Sequence, residues 1–278
     1  MTVFTSVKRV STIVLATSAL TLAGVPALAD VGPWVTQGSD RANPTTESQG
    51  LATVVRSSGT SIRYTGFGTI PSSVSSRGWN HVGDPGSRQG YYIEPYQSDT
   101  ISGKMFRVEA PNGTTTEYTH ALASGELYNN SFDAVSPDGN WMVSGEWGGM
   151  TRLLVFPTPG IRFTTPGSNL PLTSAIRLDA QVSDIQGCEF SSSTRLLCSS
   201  DGSGKPLVQV DLSAALSGTD VTGHVTNLGS LPQQSSCSGN FETEGIDYNT
   251  ADGTLRVIMM SPGICVAFDS KTWRFKHN

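Results

Sequence analysis

The chain has 278 residues, of which 15% are charged, and a net charge of −5 at pH 7. An acidic chain without a basic run excludes nucleic acid and anionic membrane surfaces as partners. Few charges alongside 30 glycines and 15 prolines point to a turn-rich, all-β protein.

Residues 1–29 read as an export signal. Lys8 and Arg9 form a positive n-region, "VSTIVLATSALTLAGVPA" an apolar h-region, and Ala27-Leu28-Ala29 an A-x-A cleavage site. The mature chain is then a single domain over residues 30–278, secreted and extracellular. Losing Lys8 and Arg9 takes its net charge from −5 to −7. The competing reading, an uncleaved anchor, fits the well-placed A-x-A site less well. No later segment holds the roughly 18 apolar residues that a membrane span needs.

In chain order, the next signal is a triplet of a polar, a small and an apolar residue that recurs with a hairpin after each copy. It occurs as Gln49-Gly50-Leu51, Asn80-His81-Val82, Asp133-Ala134-Val135, Gln186-Gly187-Cys188 and Glu244-Gly245-Ile246. The turn-like segments that follow are "RSSGT", "GDPGSRQG", "SPDGN", "FSSST" and "NTADGT". Each leads into a second strand-like run: "SIRYTGF", "YYIEPY", "WMVSGEW", "RLLCSS" and "LRVIMM". Third strands are expected at "MFRVEA", "RLLVFP", "LVQVDL" and "CVAFDS", with one helical turn at "SAALSG". Gly-, Asn- and Asp-rich turns between β-rich runs read as hairpins.

Five such units predict a five-bladed β-propeller, with six blades or a β-sandwich as the alternatives. The triplet opens each innermost strand. Its small residue fits where inner strands crowd the axis, its apolar residue packs between blades, and its polar residue faces the central channel. The N-terminal segment "VGPWVTQG" is expected to add a strand to the last blade and so close the ring.

Four cysteines in an exported chain predict structural disulfides. Cys188 and Cys198 flank a hairpin turn and face each other, which leaves Cys237 to pair with Cys265.

The phrases "WNHVGDPG", "VSPDGNWMVSG", "IQGCEFSSSTRLLCSSDGSGKPLVQVDL" and "ETEGIDYNTADGTLRV" resemble secreted bacterial β-propeller proteins of the actinobacterial type. The resemblance implies an architecture and leaves the activity open, because propellers host lectins, hydrolases, lyases and plain binding modules.

The five candidate channel residues, Gln49, Asn80, Asp133, Gln186 and Glu244, are all oxygen donors. They suit a hard cation such as Ca²⁺, with Asp133 and Glu244 as its charged ligands and Glu242 and Asp184 adding charge at the rim. The bland reading is a wet channel lined by solvated groups. Asp133 and Glu244, with Glu146 as a substitute, are also the first carboxylate pair to consider for acid–base chemistry. His81 reads as a base, a ligand or a hydrogen-bonded structural residue. Trp147, among glycines, is the aromatic best placed to stack on a sugar or anchor a partner, whereas Trp79, Tyr92 and Trp141 read as packing. No H-E-x-x-H or G-x-S-x-G occurs, and "DGSGKP" lacks phosphate-loop spacing, so it reads as an interstrand loop.

The function expected from these residues is extracellular binding of a small molecule, glycan or protein at the channel mouth through Gln49, Asn80, His81, Gln186, Glu242 and Trp147. The alternative is a hydrolase or lyase acting on a glycan, lactone or ester with help from Ca²⁺. An enzyme requires an acid and a base converging in one pocket.

Overall fold

A computed structural model describes residues 30–127 and 129–278, leaving aside the side chains of residues 129–131. The export-signal reading of residues 1–29 lies outside the described residues. The described chain is all-β, with two one-turn α-helices and two 3₁₀ turns. None of its helices is long and apolar enough to cross a membrane.

The described residues form nineteen strands. The first hairpin is β1's neighbour in sequence only: β1 (Trp34–Arg41) pairs elsewhere, while β2 (Gly50–Arg56) and β3 (Gly59–Thr65) form a two-stranded sheet. Residues 66–80 then turn through Phe67–Thr69 and Ser72–Ser75 and add no further strand to it. The second sheet holds β4 (His81–Val82), β5 (Gly86–Arg88), β6 (Tyr91–Gln97), β7 (Gly103–Glu109) and β8 (Thr115–Ala121).

Two four-stranded meanders follow. The first comprises β9 (Asn129–Val135), β10 (Trp141–Glu146), β11 (Gly149–Pro157) and β12 (Ser174–Ser183). The second comprises β13 (Ile185–Ser192), β14 (Arg195–Ser200), β15 (Pro206–Leu212) and β16 (Val221–Ser230). A short parallel pairing of β12 with β16, at Ile176–Leu178 and Val221–Gly223, joins them edge to edge into one eight-stranded sheet. The last sheet contains β17 (Glu242–Asn249), β18 (Thr254–Met260) and β19 (Lys271–His277), with β1 antiparallel to β19 from Trp34↔His277 to Arg41↔Lys271. The N-terminal strand thus covers the edge that the C-terminal strand would otherwise expose, as the sequence predicted.

The apolar cores lie between neighbouring sheets. Ala42 and Leu51 pack with Ile258 and Met260, linking the last sheet to the first. Ala52 and Val54 pack on Tyr92, linking first to second. Ile93, Phe106 and Tyr118 meet Met142, Leu154 and Phe156. Phe132, Val143 and Val155 meet Phe190, Leu196 and Val210. Leu197 and Leu207 meet Val257, Trp273 and Phe275, which completes the circuit. The first strands of the units also touch in a cycle: β2 on β5, β5 on β9, β9 on β13, β13 on β17, and β17 on β2.

Two local expectations are corrected. "CVAFDS" is not a strand: Gly263–Cys265 and Val266–Asp269 form a 3₁₀ turn and a helical turn, and the strand begins at Lys271. Pro262, just before that turn, has no N–H to give a ladder, and Cys265 is tethered to Cys237. "SAALSG" forms no helical turn and runs as irregular chain between β15 and β16. Both disulfides match the expected pairing: Cys188–Cys198 bridges directly opposed residues of β13 and β14, and Cys237–Cys265 joins residues 28 apart.

Candidate functional site

Glycines mark where the first strands crowd together. A Cβ on Gly50 would lie 2.4 Å from the Asp84 Cα, on Gly187 it would lie 2.1 Å from Asp84 Oδ2, and on Gly245 2.0 Å from Asp84 Oδ1. Asp84 therefore fills the space on the axis. Its Oδ1 accepts the Leu51 N–H at 3.0 Å and its Oδ2 the Ile246 N–H at 3.1 Å. Burial pushes its carboxyl well above the usual carboxylate range, against those two hydrogen bonds, and Asp133 and Glu189 add to the rise.

Asp133, also fully buried, packs against the Gly86 backbone. The Gly86 N–H eases its charge, but neither carboxyl oxygen completes a hydrogen bond. Burial raises its pKa strongly, and Glu189 and Glu94 raise it further. Glu244 is buried where β17 begins, with Gln49 Nε2 3.4 Å from its Oε1. Burial, then Glu242 and Asp201, push it well above the ordinary range.

Gln49 and Glu244 therefore meet, and Asp84 stands between them and the far end of the axis. Asp133 and Glu244 have separate charged neighbours. Among the described residues no group of three or more His, Cys, Asp or Glu side chains is arranged to hold a metal ion. Gln186 is half-buried, and Glu242 is exposed at the Glu244 end.

Asn80 is exposed and donates to Asp99 Oδ2 at 2.9 Å, and His81 stacks edge-on against Phe67 at 5.5 Å. Burial lowers the His81 pKa. The strand that enters the axis in their unit is β5, led by Asp84-Pro85-Gly86. Glu146 is buried and tied, receiving two hydrogen bonds from Arg152 and one from the Leu127 N–H. Trp147 is 42% exposed in the turn between β10 and β11 and does not line the depression described below.

Along β17 the order Glu244, Gly245, Ile246, Asp247 moves past Asp84 to the opposite end of the axis. There Thr53, Ser87, Arg88, Gln89, Glu189 and Asp247 line a small open depression of about 90 Å³, with the β17–β18 turn on its rim. The walls come from four of the five first strands. Asp247 accepts from Thr53 N (2.7 Å), Thr53 Oγ1 (2.8 Å) and Arg256 Nη1 (2.9 Å). Burial, then Asp247, push Glu189 up to about 8, against the weaker lowering by Arg88 and the Phe190 N–H.

The Glu189 mouth was missed in the sequence, although a signal existed. Arg88, Glu189 and Asp247 each stand two residues after an axial glycine, Gly86, Gly187 and Gly245. Alternation along a strand returns such residues to the same side. Comparison with family models and with curated proteins finds no match.

Proposed function

We propose that the chain is a five-bladed β-propeller, exported to an oxidising extracellular space, that binds a small polar ligand at the Glu189 end of its axis. The cycle of contacts among the five first strands, and the matching circuit of cores, support the propeller reading. Two disulfides with no free cysteine among the described residues support an oxidising compartment.

One observation carries the binding reading. The depression gathers hydrogen-bonding side chains from four first strands, whereas at the other end of the axis Glu244 is buried and only Glu242 reaches the surface. A hydrolase reading would draw on Glu189 as acid and Asp247 as base. Asp247 is already held by Thr53 and Arg256, which leaves no free base beside the acid.

The test is a thermal-shift screen of small polar molecules and saccharides against the wild type and Thr250→Trp, which plugs the mouth from an exposed rim position. A ligand that raises the wild-type Tm and not that of the variant supports the reading. Ligands that stabilise both proteins equally overturn it.

A further inference from the structure

We propose that this mouth takes a small zwitterion of the α-amino-acid type, its carboxylate on Arg88 and its ammonium on Glu189. The inference rests on the binding reading above and deepens it.

Two groups in the mouth are incompletely matched. Arg88 donates from Nε to the Ser136 carbonyl at 3.2 Å, and among the described residues its side chain makes no other hydrogen bond. Glu189 accepts the Phe190 N–H at Oε1, 3.0 Å, and Oε2 is left open. The two line the same depression, yet no Arg88 nitrogen comes within 4.0 Å of a Glu189 oxygen. Neighbouring charges already have partners: Asp247 has Thr53 and Arg256, and Arg56 has Glu109 and the Gly90 carbonyl at Nη1 and Nε, with only its Nη2 unmatched.

An unpaired guanidinium and an unpaired carboxyl that face one space without touching define a ligand carrying both complements. A carboxylate matches the guanidinium fork, and an ammonium supplies up to three donors to Glu189 in the negative field of Asp247. A simple anion would satisfy Arg88 but lie in that same field. A simple cation would leave Arg88 unmatched.

The Arg88 side is also held in advance. Gln89 and Gly90 both have positive φ, 53° and 81°, which closes the tight turn from β5 into β6. Gln89 is an uncommon residue for that conformation, and its amide reaches the Asp138 carbonyl at 3.2 Å. Together with the Arg88–Ser136 bond this pins β5 to the β9–β10 turn, so less freedom is lost on binding.

Binding is linked to a proton. Below about pH 8 the free Glu189 holds its proton. An arriving ammonium favours the carboxylate, so that proton passes to the buffer while no covalent bond changes. The charged groups facing Glu189 are Asp247 from β17, Arg88 from β5, and Asp84 and Asp133 on the axis, with Arg256 behind Asp247.

The experiment is isothermal titration of the mature protein at pH 7 with glycine and L-alanine, and with acetate and methylammonium as half-ligands. Either amino acid should bind at least ~10-fold more tightly than each half-ligand, with a heat that varies with the buffer's ionisation enthalpy. Arg88→Gln should reduce glycine to the methylammonium level, and Arg88→Lys should retain part of the difference. Glu189→Gln should abolish the proton release. Acetate binding as tightly as glycine, or proton release persisting in Glu189→Gln, overturns the proposal. If a saccharide shifts the backbone amide resonances of the mouth and glycine does not, the zwitterion assignment fails while binding at the mouth stands. If no probe shifts them, both fail.

Discussion

The Asp84 carboxyl accepts the backbone N–H of Ile246 at 3.1 Å, across 162 positions of sequence. Its other oxygen accepts the N–H of Leu51. One side chain from the second sheet thus ties β2 and β17 together, where the cycle of first-strand contacts closes. The acceptor replaces water for two buried N–H groups that no strand ladder reaches.

Asp84→Ala should therefore destabilise the fold by about 2–5 kcal/mol, since it orphans two buried N–H groups and opens a cavity. Asp84→Asn should cost less but remain destabilising, because its amide must aim a donor at one of the two N–H groups. Urea denaturation of both variants checks this; an unchanged midpoint for Asp84→Ala would remove Asp84 from its role as the tie.

Gly245→Ala should cost about 2–3 kcal/mol, because its Cβ would sit 2.0 Å from Asp84 Oδ1 and 2.5 Å from the Gly50 Cα. Neither neighbour is the free end of a flexible side chain. A double variant with Asp84→Ala should cost less than the two single losses added together, since removing the carboxyl opens the space. Strict additivity would mean that the clash is relieved elsewhere.

The hairpins were legible because their turns carry Gly, Asn, Asp and Ser, and Gly50, Gly187 and Gly245 were legible as crowded positions. Asp84 was not, because Asp-Pro-Gly reads locally as a turn. Its use as an axial acceptor depends on β2 and β17, far away in sequence. Reading the turn at Gln89-Gly90 instead would have brought Gly86 into line with the other axial glycines and Arg88 into line with Glu189 and Asp247. That Asp247 is held and Arg88 left unmatched depends on Arg256 and Ser136, which no local pattern pairs with them.

The Cys237–Cys265 bridge should matter more to stability than Cys188–Cys198. In the chain-entropy model, closing 28 residues contributes about 3.6 kcal/mol and closing 10 about 2.7 kcal/mol. The shorter bridge also joins residues that the β13–β14 ladder already holds opposite each other. Double Cys→Ser variants at each bridge, melted side by side, should give the lower Tm for the pair at 237 and 265. The reverse order would show that the hairpin bridge supports the axis more than loop closure suggests.

Stability should peak in mildly acidic solution and decline from about pH 5 to pH 8. Burial raises the pKa values of Asp84, Asp133 and Glu244 well above the ordinary range, and places Glu189 at about 8. In the unfolded chain these groups ionise near their usual values of about 4. Between those limits the folded state binds more protons, so raising the pH favours unfolding, and the contribution is lost as pH passes through the folded values. Lowered carboxylates, such as Glu109 between Arg56 and Arg63, act oppositely: their contribution is present above about pH 4 and lost in stronger acid. Lys104, pushed down to about 8 by burial, reverses the slope only at higher pH, where the unfolded chain keeps a proton that the folded state has shed. Urea midpoints at pH 4 to 8 should therefore be highest near pH 5. Glu189→Gln should flatten the decline above pH 5, because its amide cannot ionise in either state. A wild-type midpoint that stays level or rises from pH 5 to 8 would mean that the axial carboxyls do not hold their protons in the folded protein.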